Sequence, residues 1–274
     1  MSYRHELDLA LDLALTAGEE ALRLYAELPE IPDAPADITT AADHAVQDLL
    51  VGRLLRELPD DGILAEEASR VALPPPAERR RHWTIDPIDG TRGFARKNGE
   101  FAIQLALVDG ASPVVAVVYE PAARRLTWAA RGEGCWARLP GSSGPTHCRV
   151  SVAQRPGALA VSRSRRSREI AALLTAFGAQ RAAVTYSAGI KLALVARGEV
   201  DLYLGDYLGL KDWDVAPGHL LVEEAGGRVS DVDGAAIRYD GSARSLRGRG
   251  LLASNGTVHP GALAALGAGA VPIG

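Results

Sequence analysis

Two aspartates three residues apart, in Trp83-Thr84-Ile85-Asp86-Pro87-Ile88-Asp89-Gly90-Thr91, are the residues of this chain best suited to chemistry. Pro87 disfavours helix for the residues before it and Gly90 permits a tight turn, so the two carboxylates can converge on one point. The pattern predicts Asp86 at the end of a strand and Asp89 in the following turn, with the Ile88 carbonyl left as a further hard oxygen. Thr91, next to Gly90, can begin a helix whose free N–H groups hold an anion. Such a set suits Mg2+, which takes oxygen ligands and shares them with a phosphate. The same hexapeptide also reads as a plain turn, because Asp, Pro and Gly are all turn formers.

Further acids lie at other element ends. Glu66-Glu67 closes a short apolar segment, and Asp214 opens the apolar stretch Val215–Ala225. Adjacent acids are usually just solvated, and Asp214 also reads as a helix N-cap. A capping carboxylate still has a second oxygen to offer. Together Glu66, Asp86, Asp89 and Asp214 supply enough negative charge for two or three Mg2+ ions and a substrate phosphate. His82 and His219 read as structural, since Mg2+ prefers oxygen and no His pair has zinc spacing. No P-loop, nucleophile-elbow or dinucleotide-binding motif is present.

The elements that must position these groups follow from periodicity. Residues 4–27 predict an amphipathic helix with Leu7, Leu11, Leu15, Leu22 and Tyr25 on its apolar face, broken by Pro29, Pro32 and Pro35. Thr40 followed by Asp43 signals a second helix carrying Val46, Leu49, Leu50, Leu54 and Leu58. Ile63–Ala65 reads as a strand ending at Glu66, and Pro74 to Arg81 as a surface loop. From Phe101 the segments Ala102–Val108, Val114–Tyr119, Leu126–Ala129 and Cys135–Ala137, with glycine and proline between them, predict an antiparallel meander. The stretch Pro140–Pro145 separates an α+β subdomain (1–140) carrying the metal motifs from an α/β subdomain (146–274). The latter alternates strands near 158–161, 182–186 and 200–204 with helices 167–177, 188–197 and 214–225, then strands near 228 and 251.

Composition narrows the function class. The 274 residues carry 30 basic and 34 acidic side chains, a net charge of −4, and are 47% hydrophobic and 23% charged. That balance excludes a disordered, collagen-like or coiled-coil chain and argues against a nucleic-acid partner. Acids interrupt the N-terminal apolar stretch, no apolar run reaches the about 20 residues that span a bilayer, and the tail 261–274 is too glycine-rich for an anchor. A cytoplasmic protein with no membrane partner is expected. Cys135 and Cys148 form no CxxC and no zinc cluster, so neither a disulfide framework nor a structural zinc follows. Of the basic residues only Lys97, Lys191 and Lys211 are lysines.

These residues resemble the magnesium-dependent, lithium-sensitive phosphatases that include inositol monophosphatase. Asp86-Pro87-Ile88-Asp89-Gly90-Thr91 matches that family's DP[IL]DGT motif. Ala65-Glu66-Glu67-Ala68 is similar to its GEE[ST] box, and Trp213-Asp214-Val215-Ala216-Pro217-Gly218 with Glu224-Ala225-Gly226-Gly227 to its WDxAAG…EAGG segment. The resemblance implies a layered αβαβα sugar-phosphatase fold of α+β or α/β class, and Mg2+-dependent hydrolysis of a small phosphorylated metabolite. It assigns Glu66, Asp86 and the Ile88 carbonyl to one metal and Asp86, Asp89 and Asp214 to another. Thr91 with Glu66 would orient the attacking water, and the Gly90 and Thr91 amides would hold the phosphate, with no covalent intermediate. Asp37–Asp43 looks like the family's mobile metal loop, without the basic residue that often precedes it.

Arg96–Phe101, Ser162-Arg163-Ser164 and Ser187-Ala188-Gly189-Ile190-Lys191 look most like the branch that converts adenosine 3′,5′-bisphosphate to AMP and phosphate. By that likeness Arg163, Ser187, Ala188, Gly189 and Lys191 face the substrate, with Arg163 or Lys191 neutralising a second phosphate. Inositol 1-phosphate and histidinol phosphate are the alternative substrates. A non-catalytic regulator is the alternative class, and the intact carboxylates with Thr91 argue against it. Relatives include monomers and dimers, so a homodimer is open.

Overall fold

The structure is a computed structural model that describes residues 3–205, 209–243, 246 and 250–269. Its strands are apolar on both faces, and that property dictates layering. In β3 (Ala102–Asp109) Ile103, Leu105 and Leu107 face one core while Ala102, Ala106 and Val108 face another. In β4 (Ser112–Glu120) Val115 and Val117 likewise oppose Ala116 and Val118. Successive side chains alternate across a strand, so a sheet built this way must be covered on both sides.

The first sheet has seven strands in sequence order: β1 (Gly62–Ala65), β2 (Arg81–Asp89), β3, β4, β5 (Arg125–Ala130), β6 (Cys135–Arg138) and β7 (Thr146–His147). Only β1 and β2 run parallel in it; the rest is the expected meander. Helices α1 (Arg4–Glu27) and α2 (Ala41–Glu57) cover one face. The second sheet orders β11 (Arg228–Asp231), β12 (Leu251–Ser254), β10 (Leu202–Gly205), β8 (Ala158–Ser162) and β9 (Arg181–Thr185). Helices α5 (Ala188–Ala196) and α6 (Asp212–Glu224) fill the layer between the sheets. Helices α4 (Ser167–Phe177) and α7 (His259–Gly267) close the far side. The result is the expected αβαβα stack of mixed sheets and helices.

Several expectations need correction. The buried residues of α1 are Leu7, Leu9, Ala10, Leu13, Ala14, Ala17, Gly18 and Ala21, with Leu11, Leu22 and Tyr25 packed at their edge, and Leu15 is 37% exposed. Small residues let this helix approach the sheet closely, as at Gly18, where an added Cβ would lie 2.3 Å from the Tyr119 ring. The loop expected over Pro74–Arg81 contains a 3-10 turn at Pro76–Glu78, and Arg81 already belongs to β2. α6 begins at Asp212, so Asp214 is its third residue and not its cap. The tail contains α7, while residues 270–274 of that tail lie outside the described residues. Among the described residues no helix is long and apolar enough to cross a membrane.

α5 and α6 meet at Gly218, where a Cβ would sit 2.3 Å from the Leu192 Cβ. Overpacking of this kind costs about 1–3 kcal/mol. Gly218→Ala should therefore lower the unfolding free energy from urea titration by that amount, moving the midpoint down with an unchanged slope. A midpoint equal to the parent's would contradict so close a helix–helix contact.

Candidate active site

The two motif aspartates come together through an irregularity in β2. In a regular strand, residues three apart point to opposite faces. β2 pairs with β3 in register from Arg81↔Asp109 to Asp86↔Gln104, and the register then shifts before resuming at Asp89↔Ala102. Pro87, which has no N–H to give the ladder, lies in the shift, and the Ile88 N–H turns back to the Asp86 carboxylate at 3.1 Å. Asp89 is thus still on the strand rather than in a following turn, but its carboxylate shares a face with that of Asp86. β1 runs parallel to β2 and ends alongside it, where the Glu66 N–H donates to the Ile85 carbonyl at 3.1 Å. That edge brings Glu66 to Asp86, and their carboxyl groups are hydrogen-bonded.

Asp214 arrives from the first turn of α6. One of its oxygens accepts the Lys211 N–H at 2.6 Å, which leaves the other for the site. Carboxylate oxygens of Asp86, Asp89 and Asp214 all lie within 4.8 Å of one another. These donors are all hard oxygens, which fits Mg2+ and fits zinc or copper poorly.

Asp89 is the most heavily anchored of them. Its oxygens accept the Ser187 hydroxyl, the Ala188 N–H at 3.1 Å, the Gly189 N–H at 2.6 Å and the Gln104 amide at 2.8 Å. Three of these donors form the N-terminus of α5, so the helix dipole supports the negative charge. Ser187, Ala188 and Gly189 were expected to face a substrate. All three are buried and spend their donors on Asp89, so the structure assigns them to the metal ligand. Lys191, expected to meet a second phosphate, is 2% exposed. Its ammonium donates to the carbonyls of Tyr186 at 2.9 Å and Thr185 at 3.3 Å, beneath the cluster. Burial pushes it down to about 8, against the pull of Asp89 and Asp214. Arg163 lies nearer the surface but grips Glu100 through two nitrogens and the Val184 carbonyl at 2.9 Å.

Thr91 opens α3 (Thr91–Ala95) after Gly90, which has a φ of 91° and where an added Cβ would lie 2.6 Å from the Glu100 carbonyl oxygen. The Thr91 hydroxyl lies 2.9 Å from the Asp43 carboxylate and 3.0 Å from the Ile88 carbonyl. Asp43, read from sequence only as a helix-start signal and part of a loop, is fully buried and also accepts the Thr40 N–H and hydroxyl at 2.8 and 2.7 Å. Gln104 was missed as well. Its signal was available: one amide inside the otherwise apolar run of β3. The Asp37–Asp43 stretch is held from outside by Thr39, whose hydroxyl donates to Glu67 at 3.2 Å, while Gln47 clamps the Glu67 backbone.

Crowding of carboxylates raises their proton affinity. Burial pushes Asp86, Asp89 and Asp214 above the ordinary range, and their neighbours' charges add to the rise at Asp86 and Asp214. Glu66 is pushed up to about 7, chiefly by burial, with Glu67, Asp89 and Asp43 contributing. A carboxyl whose folded-state pKa is raised binds more protons folded than unfolded, so its contribution falls as pH rises from the unfolded value towards the folded one. The chelator-treated protein should therefore lose stability between pH 4.5 and 7 at this site, and Mg2+ should restore more of it at pH 8 than at pH 5.5. Glu66→Gln should flatten that metal-free pH dependence in urea titrations. An unchanged slope would mean that Glu66 is not protonated in the metal-free fold.

Comparison with known proteins agrees with this arrangement. The family model described as the inositol monophosphatase family matches residues 4–270. The 3′(2′),5′-bisphosphate nucleotidase CysQ of Escherichia coli K12 is 31% identical over 240 residues, covering 85% of this chain and 93% of that protein. The histidinol-phosphatase of Mycobacterium tuberculosis H37Rv is 34% identical over 275 residues, covering 96% and 98%. Among solved structures, the inositol monophosphatase from Anabaena (Nostoc) sp. PCC 7120 superposes with a TM-score of 0.79 at 28% identity, covering 100% of this chain and 98% of that one. With its layered fold and its oxygen-only cluster of buried carboxylates, this chain belongs to the inositol monophosphatase family of phosphoric monoester hydrolases.

Proposed function

We propose that the chain hydrolyses a small phosphorylated metabolite with Mg2+, using Glu66, Asp86, Asp89, Asp214 and the Ile88 carbonyl to hold two or three ions. The observation that carries this reading is the convergence of Asp86, Asp89 and Asp214 from a strand irregularity and a helix start onto one point. When bound, Mg2+ supplies an acidified water and neutralises charge on the phosphoryl and leaving oxygens. The protein residues supply positioning. Thr91 can direct its proton to Asp43, which leaves its oxygen to accept a hydrogen bond from the attacking water. Glu66, pushed up to about 7 by burial with its acidic neighbours adding to the rise, is the group able to take a proton from that water on its other side. The Gly90 and Thr91 amides, at the start of α3, would hold the phosphoryl oxygens. Asp89 stays fixed by α5 throughout, so the site changes little in geometry as charge develops.

For the substrate we infer adenosine 3′,5′-bisphosphate, on the stretch Arg96–Phe101 and on the likeness to the CysQ nucleotidase. Its cationic support shifts from Lys191, which is buried, to the rim, where the Arg92 guanidinium lies 5.6 Å over the Tyr186 ring and near Ser164. An arginine on an aromatic ring beside the cup suits a second phosphate and a nucleoside. Histidinol phosphate is the second reading, favoured by the similarity to the mycobacterial histidinol-phosphatase across nearly the whole chain.

Phosphate release from a panel of adenosine 3′,5′-bisphosphate, histidinol phosphate and inositol 1-phosphate, with and without Li+, decides between these readings. The bisphosphate should show the highest kcat/KM, with Li+ inhibiting. Preference for histidinol phosphate would replace the substrate assignment, and release from none would overturn the enzymatic one. Asp89→Asn should lower kcat by about a thousandfold or more. Asp43→Asn should lower kcat about 10- to 100-fold with nearly unchanged Mg2+ half-saturation, and a full rate would remove Thr91–Asp43 from the water-orienting role.

A further inference from the structure

Away from the carboxylate cluster, the fold brings together the two cysteines that the sequence leaves unrelated. The β6–β7 ladder pairs Trp136 with His147 and Ala137 with Thr146, and one step further the Cys148 N–H donates to the Cys135 carbonyl at 2.7 Å. Opposed residues of an antiparallel pair share a face with Cα atoms about 4.5–5.5 Å apart, inside the about 4.4–6.8 Å that a disulfide spans. Both side chains enter the same core cluster, at 0% and 6% exposure, where the Cys148 thiol also donates to the Thr146 carbonyl at 3.9 Å. Both are free thiols.

Two further features turn proximity into chemistry. Arg197, the C-cap of α5, is only 3% exposed. Its Nε serves Glu199 at 2.5 Å and its Nη1 serves Glu120 and Thr127 at 2.8 and 2.9 Å, but its buried Nη2 has no hydrogen-bond partner. The guanidinium charge favours the thiolate form at both cysteines. Cys148, with Arg197, His147 and Arg125, also lines a cavity of about 680 Å3 at the surface of the sheet. The Cys135 thiol lies behind it, and the interaction of the two sulfurs lowers Cys148 and raises Cys135.

We propose that Cys148 and Cys135 form an oxidation site, with Cys148 as the thiol attacked through the cavity and Cys135 as the resolving thiol, closing a cross-strand disulfide on exposure to hydrogen peroxide. The Cys148 thiolate attacks one peroxide oxygen, the O–O bond breaks, and the departing hydroxide takes a proton to become water. The Cys148 sulfenic acid is then attacked by the Cys135 sulfur, which gives up its proton. The S–O bond breaks and a second water leaves, so two thiols and one peroxide give one disulfide and two waters. Low-pKa, reachable thiols beside a resolving cysteine follow this course.

The test is peroxide treatment of the full-length, Mg2+-loaded chain, followed by thiol counting under denaturing conditions and non-reducing peptide mapping. Both thiols should disappear together, the mass should fall by two hydrogens, and the peptide bearing Cys135 should be joined to that bearing Cys148 within one chain. Cys148→Ser should slow loss of the Cys135 thiol about tenfold or more. Cys135→Ser should leave a Cys148 sulfenic acid that dimedone traps, which keeps the test open if the first variant fails to fold. A Cys148 sulfinic acid with Cys135 still reduced, a disulfide between chains, or survival of both thiols would each overturn the proposal.

Discussion

Repulsion among buried carboxylates is the constraint on which the rest of this structure depends. Three aspartates within 4.8 Å of one another, with Glu66 against them, would separate if they stood on flexible loops. Each is instead fixed to a regular element by a backbone donor or acceptor: Asp86 to the Ile88 N–H, Asp214 to the Lys211 N–H, Glu66 through its own N–H to the Ile85 carbonyl. Asp89 receives the most support because it faces the N-terminus of α5. Its four donors come from β3 and α5, so one side chain ties the first sheet to the layer between the sheets. The apolar length of α5 is what lets its N-terminus be delivered to that depth.

The positive charge around the cup is arranged in two tiers. Lys191 lies inside, committed to backbone carbonyls and to the field of Asp89 and Asp214. It offsets part of the cluster's charge without competing for the space where ions and phosphate would sit. The outer tier is arginine: Arg92 against Tyr186, and Arg163 held by Glu100. Arginine suits the outer tier because its planar fork binds phosphate bidentately and stacks on aromatic rings, whereas the compact Lys191 ammonium directs its donors to two backbone carbonyls inside. The chain's scarcity of lysine thus acquires a physical sense at position 191.

Much of the site was legible because its residues are short-range neighbours whose types restrict the backbone. Asp86-Pro87-Ile88-Asp89-Gly90-Thr91 encodes its own bend: proline withdraws a donor from the ladder and glycine supplies a positive φ. The meander and the strand–helix alternation were legible for the same reason, since turn residues punctuate them. What was not legible depends on partners distant in sequence. Asp43 meets Thr91 across 48 residues, and Ser187 meets Asp89 across 98, so neither contact leaves a local pattern. The direction of Ser187, Ala188 and Gly189 was misjudged because a helix N-terminus offers the same donors to a substrate anion or to a protein carboxylate. On α1 only Leu15 was misplaced, since Leu7, Leu11, Leu22 and Tyr25 do pack on the core, and the alanines between them were passed over because close approach to the sheet selects small residues. Cys135 and Cys148 became a pair only once β7 was seen to fold back on β6.

The proton affinity of the cup has a consequence for how ions and protons share it. A cluster that holds protons near neutrality in the absence of metal must release them as divalent ions enter, so apparent ion affinity rises with pH. The four carboxyls differ in this respect. Asp89 is stabilised as an anion by Ser187, Gly189, Ala188 and Lys191, so less of the burial cost remains on it than on Asp86, which faces Glu66, Asp89 and Asp214 with the Ile88 N–H beside it. Glu66, exposed at the edge of the cluster and paired with Asp86, is where an exchangeable proton is most readily shared. The geometry therefore separates two duties among chemically identical groups. Asp89 keeps its charge and its place, and the Glu66–Asp86 pair is where the metal-free cluster holds its proton.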